Sequence, residues 1–473
     1  MMNGCRTIQR DMLLRLFFNI AMALLFPALL IAADAVPGAS SSLSVSSSQD
    51  SSTAVNGYLS ARYVYRTAAS AEGRVDDQDF FGDLRLDVTR PKDNRYEFHF
   101  LGSVRSDLDG NQDVHTFYPL EDIGDTYGTR LVGNVYEANV VLNDPLPRLT
   151  HLHIGRQSGT RDEPVIFDGI SADLGGEKLN ITLYSGAAIH FFELDRKWGD
   201  DTLEGAGIDY RPLPATGMSA DFLAVKDKRT FTPAEDTVHD RMVSFKLWQR
   251  FEPFTRLTAK YRLLDGDPRD LSLKAVTALQ AANIEASLNY FRQFRSQNEL
   301  SNEFSLFYDV VGRSAPFQSF DIKVRKFFAE RVAVDLGYYK RELLDTSDEG
   351  PFNKEYKRTF LDVEVMDLFL NNLSGTILAE QWESQGRSYD AVGADLSYKI
   401  KRNKKEARVS IGTNYSLYKY DYYAELGVRE QVRTYYLTGK YPLYDGFSVN
   451  GAYEYEHSFE KYQTLRLGMR YDF

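Results

Sequence analysis

Strict alternation of apolar and polar side chains constrains this chain more than any other feature. Near the end of the chain, one face carries only apolar residues, which are Leu465, Leu467, Met469, Tyr471 and Phe473. The positions between them are Arg466, Gly468, Arg470 and Asp472. Successive side chains of a β-strand point to opposite faces, so this pattern predicts a strand with one apolar and one polar face. Similar alternation recurs in residues 84–88, 257–263, 332–338, 392–400, 407–417 and 447–455.

The same pattern fits either soluble β-sandwiches or one closed barrel, because both give each strand one wet face. Several sandwiches would need linkers, and we find no linker and no long helical pattern between about residues 55 and 473. Aromatic residues make up 13% of the chain, with 30 Tyr and 30 Phe. An aromatic-rich, alternating chain is typical of a barrel whose outer face meets lipid. We therefore expect an all-β fold, a transmembrane antiparallel up-and-down β-barrel.

The N-terminal region predicts export. Arg6, Arg10 and Arg15 precede an apolar run over residues 16–31, and an A-x-A site ends at Ala35. This order is typical of a cleaved signal peptide over residues 1–35, although the run approaches the length of a transmembrane helix. Residues 36–54 are rich in Ser and predict a flexible segment. Cys5 is the only cysteine, so a mature chain cut at this site has no thiol chemistry and no disulfide.

Turn residues divide residues 55–473 into a meander in which short and long connections alternate. Short connections are predicted at residues 90–94, 143–147, 175–178, 211–217, 251–253, 280–283, 329–331, 371–372, 401–405 and 442–446. Longer, acidic connections are predicted at residues 68–79, 107–128, 195–201, 225–240 and 343–353. Outer-membrane barrels have short periplasmic turns and longer extracellular loops. At roughly 19 residues per strand and connection, we expect about 22 strands, within a range of about 18 to 24, with one segment between residues 291 and 320 belonging to a loop.

The last strand resembles that of the bacterial outer-membrane β-barrel superfamily, in particular the porin-like channels. The resemblance rests on the terminal Phe473 and on the apolar residues at alternate positions before it, namely Leu465, Leu467, Met469 and Tyr471. The resemblance implies that these five residues form the signal read by the barrel-assembly machinery. Residues 152–174 are similar to a strand pair seen in porin-like channels. That resemblance places Arg156 near the extracellular end of one strand and Asp168 on the next.

Charged residues on the polar faces are the candidates for lining the lumen. They are Arg156, Asp168, Lys246, Arg256, Lys260, Arg262, Lys323, Arg325, Asp335, Asp395, Arg408, Arg466 and Arg470. A basic strip among them would favour anions, whereas a wall of charges paired across strands would be a solvated surface without selectivity. The net charge of −11 argues against nucleic acid as a partner, because binding phosphates needs a basic surface.

Other chemistry has weaker support. His151 and His153 share one strand face, as do Glu97 and His99, and together they could hold a metal, but their spacing is that of ordinary lumen residues. Acidic loop clusters could bind Ca²⁺ or could serve only as a soluble surface. We find no nucleophile elbow, phosphate loop or zincin motif, so we expect no enzyme, no catalytic or metal site and no cofactor.

Three functions remain open at this stage. The favoured one is a porin-like channel that passes hydrophilic solutes across the outer membrane. The second is a barrel scaffold or sheath for an exported partner, such as an electron-transfer or polysaccharide-export complex, and the third is an outer-membrane enzyme. The expected partners are outer-membrane lipid, the barrel-assembly machinery and a solute, with a homo-oligomer or an exported protein as further possibilities.

Overall fold

The computed structural model describes one unit of the chain, Thr53–Phe473. Within it the described residues are 53–70, 73–90, 95–109, 130–159, 165–189, 199, 201–228, 237–251, 253–296, 315–350, 353–402, 405–415, 433–457 and 461–473. The predicted signal peptide and most of the predicted Ser-rich segment lie outside them. None of the helices among the described residues is long and apolar enough to span a bilayer.

Twenty-two strands form a single sheet, which agrees with the predicted number. They are β1 (Ala54–Ser70), β2 (Gly73–Thr89), β3 (Tyr96–Asp107), β4 (Leu131–Leu146), β5 (Leu149–Gly159), β6 (Val165–Gly175), β7 (Leu179–Ala188), β8 (Thr202–Leu213), β9 (Thr216–Lys228), β10 (Thr237–Phe251), β11 (Thr255–Leu264), β12 (Asp267–Leu279), β13 (Ile284–Gln293), β14 (Phe317–Phe328), β15 (Val332–Leu343), β16 (Tyr356–Val365), β17 (Leu373–Ser384), β18 (Arg387–Arg402), β19 (Lys405–Tyr415), β20 (Arg433–Tyr444), β21 (Phe447–His457) and β22 (Lys461–Asp472). Two single-turn 3₁₀ helices, Gln280–Ala282 and Thr346–Asp348, lie between strands.

The sheet closes on itself. Each strand pairs antiparallel with the next along the chain, and β1 pairs with both β2 and β22. At the seam, the amide of Phe473 donates to the carbonyl of Gly57 at 3.1 Å, and the amide of Gly57 donates to the carbonyl of Phe473 at 3.0 Å. Closure leaves no unpaired strand edge, which a bilayer would penalise because lipid offers no hydrogen-bond partner. The predicted up-and-down barrel is confirmed.

The two ends of the barrel differ in their connections. At the end of the barrel where β1 begins and β22 ends, every connection is short. The shortest have two residues, as between Leu213 and Thr216, and the longest has seven, between Val365 and Leu373. On the opposite end lie the longest connections, which follow β3, β13 and β19. β13 pairs directly with β14, and most of the connection between them, residues 297–314, where the loop was expected, lies outside the described residues.

The predicted long connection over residues 68–79 is wrong. β1 and β2 stay paired up to Ser70 and Gly73, so this region is a long hairpin. The acidic residues that suggested a loop have cross-strand partners instead. Arg66 Nη1 lies 2.7 Å from Asp77 Oδ2 and 3.0 Å from Asp79 Oδ2. Opposite charges on facing strands stabilise the ladder, so a charged stretch can remain a strand.

Candidate functional site

The register of the sheet separates the side chains into two faces with opposite character. One face bears large apolar side chains that remain exposed, such as Leu336 at 55% and Ile377 at 60%. The other bears buried polar side chains, such as Asn139 at 3% and Ser397 at 1%. On the convex side of a closed sheet side chains splay apart, and on the concave side they crowd and bury one another. The apolar face is therefore the outer one, and the polar face is the inner one.

The apolar residues of β22 lie on the outer face. Leu467 faces Tyr63 of β1, and Tyr471 faces Leu59, so the apolar belt continues across the seam. A Cβ on Gly57 would lie 3.1 Å from Cζ of Phe473, which means that the terminal ring lies over this glycine. The geometry makes the terminal aromatic residue part of barrel closure. Its role in recognition by the assembly machinery stays a prediction.

Comparisons with known proteins agree with the fold. No protein-family model and no curated protein matches the chain. Among solved structures, the P pilus usher (PapC) translocation pore is similar at a TM-score of 0.51 and 10% identity, over 88% of this chain and 99% of that one. OccK8 (OprE) of Pseudomonas aeruginosa gives 0.41 at 10% identity over 89% and 98% of the two chains, and the outer membrane protein opdK of the same species gives 0.41 at 12% over 89% and 99%.

The chain has the fold of a closed 22-strand antiparallel β-barrel. Most of the charged residues predicted from the sequence lie on its inner face. By register these are Lys246, Arg256, Lys260, Arg262, Lys323, Arg325, Asp335, Asp395, Arg408, Arg466 and Arg470. Alternation predicted that they share a face, because each of them directly neighbours, in the sequence, apolar residues that point to the opposite face.

Arg156 and Asp168 correct the prediction. They pair across β5 and β6, with Nε of Arg156 donating to Oδ1 of Asp168 and Nη2 donating to Oδ2, both at 2.7 Å. Their face, however, is that of Ile154 and Ile170, which are 45% and 53% exposed. The pair therefore lies on the outer face of the barrel and does not line the lumen. Two charges can lie there because each carboxylate oxygen accepts one guanidinium proton, which cancels charge and satisfies both oxygens.

A basic sector occupies the inner face of β10 to β12. Lys246 of β10 lies opposite Lys260 of β11, and Arg250 lies opposite Arg256. Like charges in facing positions destabilise a sheet. Arg262 is the exception, because its Nη2 lies 2.6 Å from Oδ2 of Asp270, which is buried. We call Lys246, Arg250, Arg256, Lys260 and Lys274 the basic sector.

An acidic sector occupies the inner face of β4 to β9, beside the basic one. It consists of Glu137, Asp173, Asp209 and Asp221, and among the described residues of these strands the inner face adds one basic side chain, Arg211, next to the β8–β9 turn. Neutral donors, not bases, hold two of these carboxylates. Oγ1 of Thr182 donates to Oδ1 of Asp173 at 2.5 Å, and Nδ2 of Asn139 donates to Oε1 of Glu137 at 3.1 Å.

Charged side chains on the remaining wall contact either an opposite charge or a neutral hydroxyl. Arg325 contacts Asp335 at 3.6 Å and Glu364 at 2.7 Å, and Arg466 contacts Glu454 at 2.6 Å. The hydroxyl of Tyr436 donates to Asp395 at 2.9 Å, and Nε of Arg408 donates to Oγ of Ser397 at 2.7 Å; Nε of Arg470 donates to Asp472, and Lys323 contacts Asp335. The ion pairs among these contacts largely cancel each other's charge, whereas the hydroxyl partners of Asp395 and Arg408 leave the charge of those two residues in place. The two sectors are the parts of the inner wall where charges of one sign cluster.

The histidines predicted from the sequence share the inner face but form no metal site. The rings of His151 and His153 are 6.2 Å apart, and each reaches Asp173 only at 3.8–3.9 Å. His99 instead contacts Asp87 at 2.7 Å. Within the described ranges, no group of three or more His, Cys, Asp or Glu is placed to hold a metal ion.

Two features of the inner wall were not predicted from the sequence. The first is an apolar patch on β6 to β11, at the end of the barrel opposite the chain termini. In this patch Phe167 is fully buried, and Leu203, Leu223 and Leu264 are each 2% exposed. The second is a set of neutral polar residues around a wall cavity, including Gln157, Ser171 and Thr182. Charge marks a lumen residue in a sequence, whereas a neutral amide or an extra leucine at a polar position carries no such mark.

Proposed function

We propose that the protein is an outer-membrane channel through which small hydrophilic solutes pass. The observation that carries the proposal is the inner face itself, which bears hydrogen-bonding or charged side chains on all 22 strands and has an acidic sector directly beside a basic one. A barrel of this strand number encloses a wide interior, and an inner wall of mixed charge keeps that interior hydrated. The proposal assigns passage to the protein and needs no catalytic residue.

The polarity of the sectors gives the lumen a transverse field. Solutes that carry both positive and negative groups would align with it, with their cationic end toward Asp173 and Asp209 and their anionic end toward Lys246 and Lys260. Because the two sectors nearly balance, we expect weak selectivity between K⁺ and Cl⁻.

The proposed setting follows from the asymmetry of the two ends. Short turns face the periplasm in outer-membrane barrels, and long loops face the outside. The end with both chain termini would then face the periplasm of a Gram-negative cell, with the long, acidic connections outside. Residues 1–35 would direct export and be removed, and the terminal Phe473 would be presented to the assembly machinery.

Conductance tests the function. The purified protein, refolded in detergent and added to a planar bilayer in KCl, should give stepwise current increments with ohmic behaviour at low voltage. The matched control is protein from the same preparation that remains unfolded, which should give none. A preparation that shows folded-barrel mobility in electrophoresis but stays electrically silent would contradict the proposal and would favour a scaffold role.

A further inference from the structure

A cavity of about 360 Å³ opens in the inner wall within the acidic sector. Side chains from β4 to β9 line it, among them Glu137, Asn139, His153, Asp173 and Asp221. Bulk water occupies about 30 Å³ per molecule, so the cavity is many times larger than one water and has room for a small organic molecule. The lining contains three carboxylates and no Lys or Arg.

Hydrogen bonds within the wall engage the side-chain amides of Asn139 and Gln157. Nδ2 of Asn139 donates to Glu137 and to the carbonyl of Arg156 at 3.2 Å. Nε2 of Gln157 donates to the carbonyl of Gly169 at 3.2 Å, and its Oε1 accepts from Ser171 at 2.6 Å. The charged groups that line the cavity are the carboxylates of Glu137, Asp173 and Asp221, which only accept hydrogen bonds when ionised.

Asn139 also contributes an acceptor to this wall. Asn139 is 3% exposed, and its Oδ1 is buried without a hydrogen-bond partner among the described residues. Leaving a buried acceptor unsatisfied costs about 1–3 kcal/mol. Both amide protons of Asn139 already have acceptors, so a flip of its amide would lose those two bonds without satisfying the site. A ligand that donates a hydrogen bond to Oδ1 removes this penalty.

We propose that the cavity binds a protonated amine of a small organic solute. An ammonium group has three donors and no acceptor, which matches a site of acceptors with a net negative charge. A metal ion fits less well, because no group of three or more His, Cys, Asp or Glu among the described residues is placed to hold one. The inference rests on the proposed function in that the solute reaches the cavity from the lumen. Binding itself needs no conductance.

The test uses putrescine as the probe and calorimetry on the folded protein in detergent. Putrescine should bind saturably, whereas 1,4-butanediol, its neutral counterpart, should not. Asp173→Asn removes one charged acceptor and should weaken putrescine binding about tenfold, which is the effect of one charge-assisted hydrogen bond. Asn139→Leu should weaken it as well. The control is Asp83→Asn, an inner-face acid on β2 outside the cavity that accepts from Ser60, and it should leave the affinity unchanged.

The contradicting outcomes are separate from those of the channel proposal. Equal binding of butanediol and putrescine, no binding of either, or the same loss in Asp83→Asn as in Asp173→Asn would each overturn the site. Binding of Ca²⁺ in place of putrescine, lost in Asp173→Asn, would also overturn it by making the site a metal site. If Asn139→Leu fails to fold, the isosteric Asp173→Asn carries the test. A barrel that conducts but binds no amine leaves the channel intact, and one that binds but does not conduct leaves the site intact.

Discussion

The acidic and basic sectors of the inner wall are neighbours built on the same alternation, yet they hold their charges in different ways. In the acidic sector, Asp173 accepts from the hydroxyl of Thr182, and the rings of His151 and His153 lie 3.8–3.9 Å from its other oxygen. In the basic sector, Lys246 lies opposite Lys260, and next to that sector the buried Asp270 of β12 is paired with Arg262 of β11. A neutral donor keeps a carboxylate charged and available to a solute. A direct ion pair removes its charge from the lumen.

The largest expected effect on stability comes from breaking the buried ion pair between Arg262 and Asp270. Asp270→Asn leaves Arg262 beside an uncharged amide, and breaking a buried pair in this way costs about 3–5 kcal/mol of stability. Asp173→Asn should cost less than about 1 kcal/mol, because the amide oxygen still accepts from Thr182. Urea unfolding of both variants in detergent micelles measures the difference. Equal losses would mean that the two sectors hold their acids in the same way.

The outer-face pair extends the comparison to a charge that faces lipid. Arg156→Leu strands Asp168 among Ile154 and Ile170 and should lower the unfolding free energy by about 2 kcal/mol. The double variant Arg156→Leu, Asp168→Leu should recover most of that loss, because no charge then remains on this face. A double variant that is as unstable as the single one would show that the pair contributes more than mutual neutralisation.

The location of that pair shows what the sequence could and could not predict. Chain length per strand and connection predicted the strand number. Alternation predicted the β-strands and the inner face of β10, β11 and β22, because each polar residue there is flanked by apolar ones. It failed at residues 156 and 168, because a mixed stretch of small and polar residues does not reveal which face is outward. The neutral cavity residues also escaped prediction, since a neutral side chain at a polar position does not indicate in the sequence that it lines a cavity. The hairpin at residues 68–79 resembled a loop because cross-strand ion pairs cannot be read from composition.

A smaller effect concerns selectivity. Lys246→Gln combined with Lys260→Gln removes two facing positive charges from the basic sector, so the cation-to-anion permeability ratio should rise. Asp173→Asn combined with Asp209→Asn should lower it. Reversal potentials in a KCl gradient across a planar bilayer report both changes. If both double variants shift the potential in the same direction, the sectors do not act as opposite sides of one field.

The smallest effect is a pH dependence at a loop carboxylate held as Asp173 is, by neutral donors. Asp345 accepts from the amide of Ser347 at 2.9 Å and from its hydroxyl at 2.7 Å, and these bonds lower the pKa of Asp345 below its ordinary value. Because the folded pKa is the lower one, the turn is stabilised above the ordinary pKa, and this stability is lost as pH falls through the folded value. Amide exchange at Ser347 should therefore accelerate in acid, relative to intrinsic rates. An Asp345→Asn variant should show no such acceleration, and identical profiles for the two proteins would contradict the assignment.

The central claim is that the polar face of the sheet lines a water-filled lumen. Lys260 is on that face and Leu257 is on the outer one, three positions away on β11, so each can be replaced by cysteine in a chain whose only natural cysteine is Cys5. A charged, membrane-impermeant thiol reagent added to a conducting bilayer should change the current of Lys260→Cys and leave that of Leu257→Cys unchanged. A current change at position 257 with none at position 260 would contradict the claim.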